Sequence, residues 1–91
     1  MSKKVWFITG TSRGFGRAIA EAALDRGDFV IATARNPETL NDLVSASEGR
    51  ACAIRLDVTD ESEAKQAIAR GVEKFGRIDV VVNNAGYADL G

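Results

Sequence analysis

Four short apolar, β-favouring runs punctuate the chain: Lys4 to Thr9, Phe29 to Ala34, Cys52 to Leu56 and Ile78 to Val82. Each is nearly continuous in apolar residues, without the alternation of a strand that has one wet face. Such runs suit strands buried on both faces of a parallel sheet. Between them, apolar residues recur at helical spacing. Gly14 to Arg26 carries Phe15, Ile19, Ala22, Ala23 and Leu24. Pro37 to Ser47 carries Leu40, Leu43 and Val44, with Asn36 as N-cap and Pro37 at the first helical position. Asp60 to Phe75 carries Ala64, Ala67, Ile68, Val72 and Phe75. There Asp60 and Glu63 have capping-box spacing, with Asp in place of the usual Ser or Thr. Gly27 and Gly76 stand where helix-ending glycines belong.

The resulting order, β-α-β-α-β-α-β, predicts an α/β fold with a parallel sheet. Right-handed crossovers and the common doubly wound order 3-2-1-4 put the first two helices on one face and the third on the other. This layout makes Val80-Val81-Val82 an edge strand that is apolar and uncharged, where natural edges are usually blunted. One helix also falls short of covering a whole sheet face. The expectation is a partial sheet, completed by absent sequence, a swapped neighbour or a partner, with self-association through the exposed edge.

Composition narrows the function classes. Hydrophobic residues at 45% and charged residues at 27% give a globular rather than a disordered balance. Net charge is −1 with no basic stripe, which argues against a nucleic-acid partner. No apolar run reaches the roughly 20 residues that span a bilayer. The basic start Met1-Ser2-Lys3-Lys4 followed by Val5 to Ile8 resembles a secretory leader, but the apolar run stops short of the roughly 7–15 residues required. The expected setting is therefore cytoplasmic. The sequence contains no histidine, which excludes His-based triads and His-ligated zinc. Cys52 is the single cysteine, so no internal disulfide forms; in Ala51-Cys52-Ala53-Ile54 it reads as a small buried hydrophobe.

Candidate chemistry begins directly after the first run, at Thr9-Gly10-Thr11-Ser12-Arg13-Gly14-Phe15-Gly16. Glycines permit a tight turn and let the main chain approach a pyrophosphate. The loop then opens a helix whose free N–H groups and dipole favour an anion. Thr11 and Ser12 add hydroxyl groups. The spacing is Gly-x-x-x-Gly-x-Gly rather than the general dinucleotide fingerprint Gly-x-Gly-x-x-Gly. A plain strand-to-helix turn is the competing explanation.

Thr9-Gly10-x-x-x-Gly14-x-Gly16 resembles the glycine motif of the short-chain dehydrogenases/reductases. Asp57-Val58 after the third run and Asn83-Asn84-Ala85-Gly86 after the fourth agree with the family in type and order. The resemblance runs from Lys4 to Gly86 and corresponds to roughly the first third of a usual member. It implies a Rossmann-like dinucleotide-binding fold, with residues 1–91 as its N-terminal part and the catalytic part absent. Gly10, Gly14 and Gly16 would line the pyrophosphate, and Thr11, Ser12, Arg13 and Phe15 of the same loop would count among the cofactor-binding residues. Asp57 and Val58 would contact the adenine, with a strand-to-helix cap as the alternative role of Asp57. Asn84, Ala85 and Gly86 would lie beside the ribose and nicotinamide, while Asn83 ties strands together.

Dinucleotide users that prefer NAD carry a carboxylate at the end of the second strand, about 20 residues past the glycine loop. Here the stretch is Ala32-Thr33-Ala34-Arg35-Asn36, with Arg35 in place of an acid. A guanidinium binds a 2′-phosphate through two parallel hydrogen bonds, whereas a carboxylate repels it. Arg13 occupies the second basic position of NADP-preferring members. The expected cofactor is NADP(H).

The family's reaction is hydride transfer between a nicotinamide and a carbonyl or alcohol, using a Tyr-x-x-x-Lys pair and a serine. Tyr87 is the single tyrosine and Gly91 stands four residues on, so the pair is not in these residues. Ser2, Ser12, Ser45, Ser47 and Ser62 all precede the fourth run, and Asp89 reads as a solvated loop acid. The resemblance implies a small-molecule substrate for the parent enzyme. The alternative is a non-catalytic nucleotide-binding or interaction module.

Overall fold

The computed structural model describes residues 3–11, 14–57 and 59–83. The described chain runs β1 (Val5–Ile8), α1 (Gly14–Asp25), β2 (Phe29–Ala34), a 3-10 turn (Pro37–Leu40), α2 (Asn41–Ala46), β3 (Ala51–Arg55), α3 (Glu61–Phe75) and β4 (Val80–Val82). The strands form one parallel sheet in the order β3-β2-β1-β4, the doubly wound arrangement expected from the sequence. Registers pair Val5 with Phe29, Trp6 with Val80, and Val30 with Ala51.

Alternate residues of each strand feed two cores, one on each face. Ile8, Val30, Ala32, Ala34 and Ala51 pack with Ala20, Ala23 and Leu24 of α1 and with Leu40 and Leu43. Val5, Phe7, Ile31, Ile54 and Leu56 pack with Ala67, the partly buried Ala64 and Phe75 joining them. The Phe29 and Phe75 rings meet at 5.1 Å in a tilted pair.

Helix ends follow their local chemistry. After α1, Gly27 takes φ 88°; its N–H bonds Leu24 O at 2.9 Å and the Asp28 N–H bonds Ala23 O at 3.0 Å, a Schellman closure. Asp60 caps α3, accepting from the Ser62 and Glu63 N–H groups. The box is one-sided, because Glu63 accepts from the Asp57 N–H instead of returning to Asp60. Its other oxygen is committed as well, pairing with Arg55 on β3 at 2.7 Å.

The second helical stretch is broken rather than continuous. Asn36 sits at the N-cap without a side-chain cap bond. Its carbonyl instead accepts from both Thr39 N and Thr39 Oγ1, an i to i+3 pattern that tightens the start into a 3-10 turn. On α1, two positions expected to face inward do not: Phe15 is 80% exposed and Ala22 is exposed. Small residues do the burying on α1, with Gly16, Ala20 and Ala23 along one stripe.

On the α3 face the cover is incomplete. Glu63, paired to Arg55 on β3, marks the flank of α3 nearer that strand. Ile68 and Val72 lie on the opposite flank and are 42% and 39% exposed, and Val81 on β4 is 62% exposed. Among the described residues, nothing covers these apolar side chains fully.

Candidate functional site: the carboxyl ends of the strands

Because all strands run parallel, the residues that follow them gather at one rim. The strand order reverses between β1 and β4, which is the usual ligand position in open α/β sheets. Gly10 and Gly14 both adopt left-handed backbone, with φ 62° and 69°. A Cβ at Gly14 would meet no atom within 4 Å, so its requirement is the backbone angle rather than space. α1 opens at Gly14 with no acidic residue in its first turn, leaving its positive end without a carboxylate of its own.

Thr9 ties the ends of β1 and β4. Its N–H bonds Val82 O at 3.0 Å, and its hydroxyl reaches Asn83 Oδ1 at 3.3 Å. Asn83 is thereby a strand tie, in line with the sequence expectation. Thr11 departs from expectation: it is fully buried and its hydroxyl donates inward to Ile8 O at 2.9 Å. Phe15 stands exposed on the first turn of α1, and Gly16 is buried beneath it.

At the ends of β2 and β3 stand Arg35 and Asp57. Arg35 is exposed and makes no ion pair among the described residues. Asp57 Oδ1 accepts from both Thr59 N and Thr59 Oγ1, at 3.0 and 2.7 Å. The Thr59 hydroxyl is the main reason that the Asp57 carboxyl is held below its ordinary range; the Thr59 N–H, Arg35 and Arg55 add to it. One carboxylate oxygen therefore forms the strand-to-helix turn, and the other accepts no hydrogen bond among the described residues. Ser12, Arg13, Val58, Asn84, Ala85 and Gly86, with Tyr87 and Asp89, lie outside the described residues.

Elsewhere, Cys52 is half-buried and burial raises its thiol pKa, which suits a packing role. Among the described residues no group of His, Cys, Asp or Glu side chains is placed to hold a metal, and no helix is long and apolar enough to cross a membrane. Thr33 and Asp28 are among the buried polar residues that sequence reasoning missed. Neither stands out in an apolar run or a turn, although Asp28 directly follows the helix-ending Gly27.

A glycine turn between β1 and a helix, at the switch point of a 3-2-1-4 parallel sheet, defines the Rossmann-like class. The short chain dehydrogenase family model matches residues 4–91, and the chain belongs to that family. It is 62% identical over 87 residues to "Oxidoreductase BOA17" of Botryotinia fuckeliana (strain B05.10), covering 94% of this chain and 32% of that protein. It is 44% identical to the hydroxysteroid dehydrogenase-like protein 2 of Rattus norvegicus, covering 92% of this chain and 18% of that one. Among solved structures, a short-chain dehydrogenase from Streptomyces avermitilis superposes with TM-score 0.87 at 57% identity, over 91% of this chain and 31% of its own. A 3-ketoacyl-(acyl-carrier-protein) reductase from Brucella melitensis, complexed with NADH, superposes with TM-score 0.80 at 27% identity, over 86% and 32%. The chain thus spans about a third of the length of most of these relatives.

Proposed function

We propose that this chain is the nucleotide-holding part of an NADPH-dependent short-chain dehydrogenase/reductase. The observation that carries the reading is the pair of left-handed glycines, Gly10 and Gly14, opening α1 at the switch point. Main-chain N–H groups there, with the helix end, fit the diphosphate. Asp57 fits the adenine amino group through its second oxygen. Arg35 fits a 2′-phosphate: it follows β2 directly, it is exposed, and no acid shares the end of that strand. Arg13 is the second cation of the reading, and Asn84, Ala85 and Gly86 are the residues that it assigns to the ribose and nicotinamide. The nicotinamide supplies a hydride to a carbonyl or takes one from an alcohol. The acid/base pair and most of the substrate pocket belong to the rest of the parent protein, for which residues 1–91 form the N-terminal part of the domain.

Titration with NADPH and NADH tests this assignment. The double substitution Arg13→Ala with Arg35→Ala is expected to weaken NADPH far more than NADH. Equal losses for both would defeat the NADPH assignment, and no binding of either would defeat the nucleotide reading.

Self-association belongs to the same proposal. It is supported by the exposed Val81 on the edge strand and the exposed Ile68 and Val72 on α3.

A further inference from the structure

β1 and β2 part company at the rim. Their last paired residues are Ile8 and Ala32, yet β2 continues through Thr33 and Ala34. In a parallel pair every second residue points both its N–H and its C=O at the same neighbour. Thr33 points its pair toward β1, where that strand has already ended. Thr11 fills the gap. Its N–H donates to Thr33 O at 3.0 Å, and its hydroxyl oxygen accepts from Thr33 N at 3.3 Å. The same hydroxyl donates to Ile8 O at 2.9 Å, and Thr33 Oγ1 reaches that carbonyl too, at 3.0 Å. Both threonines are fully buried. One residue of the glycine turn therefore serves as a false rung of the sheet, half backbone and half side chain.

We propose that Thr11 is the positioning residue of the phosphate turn: by completing the β2 ladder it fixes where Gly10 and Gly14 present their main chain, without touching the nucleotide through its hydroxyl. This rests on the dinucleotide reading above. The two threonines are not equivalent. Without the Thr11 hydroxyl, the buried Thr33 N–H has no acceptor, an expensive loss. Without the Thr33 hydroxyl, Ile8 O still accepts from Thr11.

The test compares Thr11→Val, Thr11→Ser and Thr33→Val, each titrated with NADPH and with adenosine 2′-monophosphate, which lacks the diphosphate. Thr11→Val is expected to weaken NADPH about tenfold or more while leaving the monophosphate within about twofold. Thr11→Ser and Thr33→Val are expected to stay near the unsubstituted protein for both ligands. Equal losses of both ligands in Thr11→Val would reduce Thr11 to a structural residue, and unchanged NADPH binding would overturn the proposal. A second readout needs no ligand: in Thr11→Val the Gly10 and Gly14 amide resonances should shift and the Thr33 amide should exchange faster. Unmoved resonances would overturn the proposal even if the unsubstituted chain binds no nucleotide, a result that would itself count only against the dinucleotide reading.

Discussion

The Trp6 indole donates through Nε1 to Asp28 Oδ2 across 3.0 Å, joining the middle of β1 to the residue that leads into β2. The other carboxylate oxygen accepts from the Lys4 N–H at 3.2 Å. The Asp28 carbonyl, with that of Leu24, is held by Arg50. A single acid thus sets the start of β1 against the end of the α1 turn.

Trp6 is the main cause that lowers the Asp28 pKa below its ordinary value. A depressed carboxyl stabilises the fold fully above its unfolded pKa and loses that contribution as pH falls through the folded value. Asp28→Asn is therefore expected to lower Tm at neutral pH. The gap should narrow below about pH 4, where the unfolded carboxyl takes up its proton. Thermal unfolding across pH checks this, with Trp6 emission as a local reporter; a gap independent of pH would contradict it.

Asp60 holds the first turn of α3 through the Ser62 and Glu63 N–H groups, at 3.0 and 3.2 Å. Asp60→Ala should lower Tm, and Asp60→Asn, which keeps an acceptor, should recover most of the loss. The cap matters because α3 packs on one face of the sheet. Helical circular dichroism followed through thermal unfolding distinguishes the two variants.

Val81→Lys places a charge on the exposed strip of the edge strand, a device by which natural edges avoid pairing. Sedimentation velocity should show the unsubstituted chain associating as concentration rises, and the variant remaining monomeric. A monomer in both cases would count against association through this strip.

Arg35→Asp puts a carboxylate at the end of β2, where it would repel a 2′-phosphate and accept from ribose hydroxyls. NADPH affinity should fall and the preference should move toward NADH. Titration with both cofactors reads the change directly. An unaltered preference would remove Arg35 from cofactor selection.

Much of this arrangement was legible in the sequence because it depends on local signals. The apolar runs marked the strands, their order with right-handed crossovers gave 3-2-1-4, and Gly27 and Gly76 marked helix ends. What escaped depends on partners distant in the chain. Thr11 reads as a phosphate-loop hydroxyl until β2 is seen to outrun β1 and claim it. Asp28 directly follows a helix-ending glycine, and nothing local announces the Trp6 and Lys4 donors that reach it from β1 and the residue before it. Glu63 reads as half of a capping box until the Asp57 N–H and Arg55 take its oxygens. Phe15 follows the helical period yet faces solvent, because α1 approaches the sheet through Gly16, Ala20 and Ala23.

Backbone amide NMR during NADPH titration is the most direct probe of the glycine turn. The largest shifts should fall on the Gly10, Gly14, Phe15 and Gly16 amides, with smaller ones at Arg35 and Asp57. Saturating nucleotide that leaves those glycine amides in place, or moves only residues at the opposite rim, would contradict the assignment of this turn as the diphosphate cradle.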